Sequence, residues 1–206
     1  MDMTIHDFDM ARFLIGAEVE EVYVQAAVTV DPAIGQAGDL DTAVVLLKFA
    51  NGVIGTIDNC RQAAYGYDQR VEVLGKKGSA ATQNNYPNSV VFSGGEAIRR
   101  DLPLNFFLER YAESFVTEMR LFVEAVLEDK PTPVTGLDGR KPVVMARAAR
   151  KSHDEHRPVR PRLQLRRDAI GERAGGRGHA HDPPAGVEVE VRHDIAAAQV
   201  RIDQHH

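Results

Sequence analysis

Two apolar runs rich in β-branched residues flank an Asn-Gly pair near the middle of the first half of the chain. The first run, TAVVLLKF, covers residues 42–49, and the second, VIGTIDN, covers residues 53–59. β-Branched residues favour strands, and Asn51-Gly52 supplies the positive φ angles that a two-residue hairpin turn needs. This stretch predicts a pair of antiparallel strands, and it commits the domain to a β-sheet.

Further strand and helix patterns surround this hairpin. Strands are also predicted at residues 21–30, 70–75, 79–83 and 89–93. Apolar residues recur at helical spacing through residues 105–130, which predicts a long helix packed on the sheet. A short helix should end at Gly16, and another should begin at Lys141 or Pro142. The predicted fold class is α+β, with a mainly antiparallel open sheet of five or six strands and helices packed on one face.

Composition excludes several classes of protein. The 206 residues suffice for one domain, and no apolar run approaches the roughly 20 residues of a membrane span. The N-terminus carries no export signal, so the predicted compartment is the cytoplasm. A net charge of -5 provides no basic face for nucleic acid. The single cysteine, Cys60, can form neither an internal disulfide nor a thiolate metal cluster.

The amino-acid usage changes near Arg157. From there to the end the chain contains nine Arg and five His but no Lys, Ser, Thr or aromatic residue other than His, as in a GC-rich gene read out of frame. Residues 171–186 lack apolar anchors and are expected to be disordered. We therefore predict a folded domain at residues 1–157 and a low-complexity, disordered or frameshifted tail at residues 158–206. The histidines of this tail suit adventitious metal binding, since they lack supporting contacts.

Four long stretches carry a family resemblance. They are DMTIHDFDMARFL at residues 2–14, DPAIGQAGDLDTAVVLLKFANGVIGTIDN at 31–59, YGYDQRVEVLGKKG at 65–78 and DLPLNFFLERY at 101–111. They resemble the C-terminal half of the Gfo/Idh/MocA oxidoreductases, and among these the bacterial inositol 2-dehydrogenases. The resemblance implies oxidation of a polyol such as inositol, with NAD as the cofactor.

The resemblance also implies site residues. Family members use an Asp and a His spaced as D-x-x-x-H, which Asp2 and His6 match, and a tyrosine against the substrate hydroxyls at the place of Tyr65. Oxidising a secondary alcohol requires a base that titrates near neutrality, a role that suits an imidazole. A carboxylate one helical turn away can orient that imidazole. Hence Asp2 and His6 are the predicted catalytic residues, and Asp2, His6 and Tyr65 are predicted to bind the substrate.

Other readings of these residues remain open on sequence grounds. Asp2 or Thr4 could cap the helix that follows, and Asp7 and Asp9 are expected to face solvent near its positive end. An Asp/His pair could also bind a metal, but no further ligands follow at zinc-site spacing, so no metal is predicted. Tyr65 could be a sheet-surface aromatic.

The dinucleotide-binding half of the family has no counterpart in this sequence. No G-x-G-x-x-G follows a strand and opens a helix, and the family's catalytic lysine belongs to that half. The chain is therefore expected to be a fragment that is inactive alone, and no cofactor-binding residue is assigned from its sequence.

Self-association is a further expectation. The strand at residues 42–49 is apolar over residues 43–47 without clean alternation, which predicts cover on both faces, by the long helix on one and by a partner on the other. If Val45 faces the partner, Val45→Lys should weaken the oligomer. The chain is thus expected to form homo-oligomers through its sheet. An alternative function is a non-catalytic module that self-associates through this open sheet.

Overall fold

The computed structural model describes residues 2–162 and 199–205, which contain helices, a six-stranded sheet and a two-stranded sheet. The helices are α1 (Thr4–Ile15), α2 (Pro32–Gln36), α3 (Phe107–Arg110), α4 (Ala112–Leu127) and α5 (Gly136–Glu155). The strands are β1 (Val19–Ala27), β2 (Thr42–Phe49), β3 (Ile54–Cys60), β4 (Asp68–Gly75), β5 (Gly78–Ala81), β6 (Val91–Ser93), β7 (Ile98–Arg100) and β8 (Gln199–His205). Within these residues no helix is both long and apolar enough to cross a membrane.

Six strands form the main sheet in the order β1-β2-β3-β8-β4-β5. All neighbours pair antiparallel except β3 and β8, which are parallel. Strands β6 and β7 form a separate hairpin. The predicted α+β class with a mainly antiparallel sheet is confirmed.

The β2–β3 hairpin is confirmed, but its loop is longer than the two residues that we predicted. Phe49 N donates to Val53 O at 2.9 Å, so three residues lie between the two residues that this hydrogen bond joins. Gly52 lies at φ 87°, where a side chain would be strained, and its N–H bonds to Phe49 O at 2.9 Å. This is the three-residue loop that ends in a left-handed glycine.

Helices α1 and α5 cover one face of the sheet and form the core with it. A capping box between Thr135 and Asp138 begins α5 at Gly136, earlier than the predicted start at Lys141 or Pro142. Pro142 is therefore buried inside the helix rather than in its first turn. The core includes Phe8, Ile15, Val22, Val45, Leu47, Phe49, Ile57, Met145 and Ile202.

Strand β2 alternates cleanly between the two faces, against our expectation. Val45 is 1% exposed and packs in the core, whereas Leu46 is 49% exposed on the opposite face. Val45 and Leu46 are both apolar, so the sequence does not reveal that the pleat directs them to opposite faces of the sheet. The apolar residues exposed on the opposite face include Val44, Leu46, Ile54 and Leu74.

The predicted helix at residues 105–130 is divided, and most of its apolar face is exposed rather than packed on the sheet. It forms α3 and α4, and in α4 only Ala125 is buried. Apolar residues recur at the predicted spacing, but they form an exposed stripe that includes Phe115, Met119 and Phe122. Helical periodicity shows that a helix has an apolar face; it does not show what covers that face.

Part of the segment at residues 158–206 belongs to the fold, and our expectation is wrong for that part. Val159 is buried and pairs with Val22 of β1. Strand β8 lies between β3 and β4, and its Ile202 side chain is fully buried. Such pairing joins residues distant in sequence, which composition cannot reveal. The stretch 171–186, predicted to be disordered, lies outside the described residues.

Candidate functional site

Helix α1 places the predicted catalytic residues at one end of the sheet. The helix begins at Thr4 with Met3 at the N-cap, and no side chain caps it. The capping role considered for Asp2 and Thr4 is therefore wrong. The helix ends at Gly16, whose φ of 64° is left-handed and whose N–H bonds to Arg12 O at 2.9 Å.

Asp2 and His6 are both exposed at the start of this helix. Asp2 Oδ2 accepts a hydrogen bond from Arg61 Nη1 at 3.3 Å, just beyond the end of β3. Among the hydrogen bonds and ion pairs of the described residues, none joins Asp2 to His6. The i,i+4 spacing does not pair them here because Asp2 precedes the first helical turn.

Asp7 is the residue that our sequence analysis misjudged most. We expected it to face solvent, but it is 0% exposed, and its Oδ2 accepts from Asn59 Nδ2 at 3.0 Å. Burial raises the pKa of Asp7 to about 7, although hydrogen bonds from Asn59 and Gln69 act in the opposite direction. A signal was present in the sequence, since Asp7 lies on the same helical stripe as buried Ala11 and Ile15.

Asp9, in contrast, keeps the partly exposed position that we predicted. Its Oδ1 accepts from Arg12 Nη1 at 3.2 Å on the same helix. The two neighbouring acids therefore have different roles: Asp7 ties α1 to the sheet, and Asp9 belongs to a surface ion pair.

Tyr65 lies in the loop between β3 and β4, and its hydroxyl donates to Asp68 Oδ2. Asp68 also accepts from Arg70 Nε at 2.8 Å and from Asn84 Nδ2 at 2.6 Å. Burial alone would raise the pKa of Asp68, but the hydrogen bonds from Arg70, Tyr65 and Asn84 outweigh it and lower that pKa to about 2. Asp68 is thus an ionised, buried carboxylate beside a predicted substrate-binding residue.

Backbone contacts fix the Tyr65 loop in place. Gly66 has a φ of 123°, and a Cβ there would lie 2.7 Å from Pro103 O, so only glycine fits. Tyr67 N donates to Leu104 O at 2.9 Å, and the Tyr67 ring packs edge-on against Tyr111 at 5.7 Å. The loop is pre-organised by the segment before α3.

These contacts gather the start of α1, the end of β3 and the start of β4 at one end of the sheet. Asp2–Arg61 and Asp7–Asn59 join α1 to β3, and Asp7 also bonds to Gln69 of β4. The loop that carries Tyr65 connects the same two strands. An imidazole, carboxylates, a phenol and guanidinium groups therefore share one region, a set that suits a ligand with many hydroxyl groups.

NAD, the cofactor implied by the family resemblance, does not fit the described residues. Its pyrophosphate needs a strand, a glycine-rich turn and a helix N-terminus in succession. The helices that follow strands, α2 and α3, have only five and four residues and no such glycine pattern. Among these residues there is likewise no group of three His, Cys, Asp or Glu that could hold a metal.

Comparison with known proteins gives a consistent result. Residues 1–160 match GFO_IDH_MocA_C, the C-terminal alpha/beta domain of an oxidoreductase family. The chain is 52% identical over 152 residues to the uncharacterised oxidoreductase YrbE of Bacillus subtilis, covering 74% of this chain and 45% of that protein. It is 48% identical over 160 residues to the myo-inositol 2-dehydrogenase of Thermotoga maritima, covering 78% and 48%.

A solved structure agrees with these sequence relatives. It is the scyllo-inositol dehydrogenase of Lactobacillus casei with bound NAD(H) and scyllo-inositol, which matches with a TM-score of 0.71 at 28% identity. The match covers 78% of this chain and 47% of that one. The chain spans about half the length of the relatives that it matches.

Proposed function

Since the chain belongs to the Gfo/Idh/MocA oxidoreductase family, through its C-terminal alpha/beta domain, we propose that it is the substrate-binding and oligomerisation half of an NAD-dependent inositol 2-dehydrogenase. The reaction would oxidise the 2-hydroxyl of myo-inositol to a ketone. The observation that supports this most is the D-x-x-x-H pair at the same end of the sheet as the Tyr65 loop. The proposed compartment is the cytoplasm.

His6 is proposed to take the proton of the substrate hydroxyl. Its exposure at the start of α1 leaves the imidazole accessible to a ligand. Asp2 would orient the ring, which requires its carboxylate to turn from Arg61 towards His6. The Asp2–Arg61 pair is exposed, and exposed ion pairs contribute less than about 1 kcal/mol, so this change costs little.

NAD would accept the hydride in the complete enzyme, but the described residues supply no site for it. The chain alone is therefore proposed to be inactive. Purified chain mixed with NAD and myo-inositol should give no rise in NADH absorbance, because losing one member of a cooperating set costs orders of magnitude in rate. An inositol-dependent rise in NADH with the pure chain would contradict this part of the proposal.

Substrate binding can be tested without the cofactor. We expect ligand-observed saturation-transfer NMR to detect myo-inositol on the full chain, and a His6→Gln change should weaken that signal. His153→Gln in the last turn of α5 is the matched control and should leave the signal unchanged. Equal signals from the wild-type, His6→Gln and His153→Gln chains would show that His6 is not part of the binding site. No signal from the wild-type chain would show that myo-inositol is not the ligand.

The oligomerisation part of the proposal rests on the uncovered face of the sheet. Leu46, Ile54 and Leu74 are each about half exposed there, on three different strands. Exposed apolar residues grouped on one face of a sheet are a feature of protein–protein contact surfaces, and a second sheet can cover them. The alternative function, a non-catalytic module that self-associates, predicts the same oligomer but no binding of inositol, so the NMR test separates the two.

A further inference from the structure

The hydrogen bond from Tyr65 Oη to Asp68 Oδ2 determines what Tyr65 can offer to a ligand. A phenol hydroxyl has one proton to donate and lone pairs with which to accept. Here the proton points at Asp68. Towards a ligand, the Tyr65 oxygen therefore acts as an acceptor.

Asp68 is suited to accept the hydrogen bond from the Tyr65 hydroxyl. Its side chain is 1% exposed, and it accepts from Arg70 Nε at 2.8 Å, from Arg70 Nη2 at 3.1 Å and from Asn84 Nδ2 at 2.6 Å. Arg70 cannot lose its proton in a protein, and an ionised carboxylate can only accept. The direction of the Tyr65 hydrogen bond is therefore fixed by its neighbours.

Tyr65 as a whole residue is 43% exposed, so part of its side chain faces solvent. The loop around it is tied down by the hydrogen bond from Tyr67 N to Leu104 O, and at Gly66 it passes so near Pro103 O that a Cβ would not fit. The loop is held in place, the hydroxyl proton is directed at Asp68, and the ring is partly exposed. This arrangement is expected of a group that accepts a hydrogen bond from a ligand but does not donate one.

We propose that Asp68 is a positioning residue, which commits the Tyr65 hydroxyl to accepting a hydrogen bond from a hydroxyl group of the polyol ligand. This inference rests on the proposed function for the ligand class, and it adds the direction of one contact. A ligand in which fluorine replaces that hydroxyl keeps an acceptor but loses the donor. Such a ligand should lose its contact with Tyr65.

The first experiment examines Asp68 without any ligand. The full chain is labelled with ¹³C at the tyrosine Cζ, and the Tyr65 resonance is identified by its absence in Tyr65→Phe. Asp68→Asn should shift this resonance and leave those of Tyr23 and Tyr86 in place. Asp58→Asn on β3 removes the same charge and should shift none of the three. An unmoved Tyr65 resonance in folded Asp68→Asn would overturn the proposal.

The second experiment uses ligand and does not require Asp68→Asn to fold. Wild-type chain is titrated with myo-inositol and with each monofluoro-deoxy analogue. At least one analogue should bind about tenfold more weakly than myo-inositol, the effect of about one lost hydrogen bond. In Tyr65→Phe that difference should disappear. Identical ratios in the wild-type and Tyr65→Phe chains would overturn the inference.

The two experiments also separate this inference from the function on which it rests. If myo-inositol does not bind the wild-type chain, the proposed function fails. Even then, the Cζ resonance of Tyr65 shows whether the Tyr65 hydroxyl donates its hydrogen bond to Asp68.

Discussion

Replacing Asp7 with Asn should remove a large pH dependence of stability from this domain. Asp7 is buried, and its pKa in the folded chain is raised from 3.8 to about 7. Between these values the unfolded chain has lost the Asp7 proton while the folded chain retains it. The folded state then binds more protons, so the free energy of unfolding falls as pH rises through this window.

The size of the effect follows from the shift. One pKa unit corresponds to about 1.4 kcal/mol, so a rise of about three units makes ionised Asp7 cost about 4 kcal/mol of stability above pH 7. An Asn at this position is neutral at every pH and can still accept the 3.0 Å bond from Asn59 Nδ2. We expect Asp7→Asn to be more stable than the wild-type chain at pH 8 and to lose most of that advantage at pH 4.

Urea unfolding at several pH values between 4 and 8, at constant ionic strength, measures this difference. The difference between the two chains is the quantity to follow, because Asp41 and Asp68 have lowered pKa values and contribute the opposite slope to both chains. Asp9→Asn on the same helix is the control for removing a carboxylate from the surface of α1. A difference between Asp7→Asn and wild type that does not change with pH would refute the reasoning, since Asp7 would then titrate alike in the folded and unfolded chains.

Two other predictions concern the sheet. Ile202→Ala should destabilise the domain by about 2–4 kcal/mol in urea unfolding, because it empties a fully buried position in β8. The control, Leu127→Ala on the exposed side of α4, should change the free energy of unfolding little. Equal effects of the two changes would show that β8 does not complete the core. Leu46→Lys should lower the oligomer mass in light scattering without unfolding the chain, whereas Val45→Lys should unfold it, because Val45 points into the core; an unchanged mass for folded Leu46→Lys would exclude this face of the sheet.

Strands β2 and β3 could be predicted because their signals are local. β-Branched residues and the Asn51-Gly52 turn act within a few positions, and the strands formed where they were expected. The same local character explains the error at Val45. Five apolar residues in succession, at 43–47, cannot show which of them face the core, because that depends on which face of the sheet the helices α1 and α5 cover.

The site was predictable only in part, for a related reason. The resemblance nominated His6 and Tyr65 as site residues, but the contacts around them join residues far apart in the chain, such as Asp7 with Asn59 and Arg61 with Asp2. Tyr65 and Asp68 are only three positions apart in the sequence. Even so, their hydrogen bond depends on the conformation of a loop that lies against Pro103 and Leu104. Pairwise geometry of this kind is a property of the folded chain.

The most direct test of the proposed substrate site is a titration of ¹⁵N-labelled full chain with myo-inositol, followed by two-dimensional amide NMR. The proposal predicts saturable shifts at the amides of His6, Tyr65 and Tyr67, with β5 and the β6–β7 hairpin unaffected. Amides that do not move at saturating inositol, or that move only on the open face of the sheet around Leu46, would contradict the assignment of this end of the domain to substrate binding.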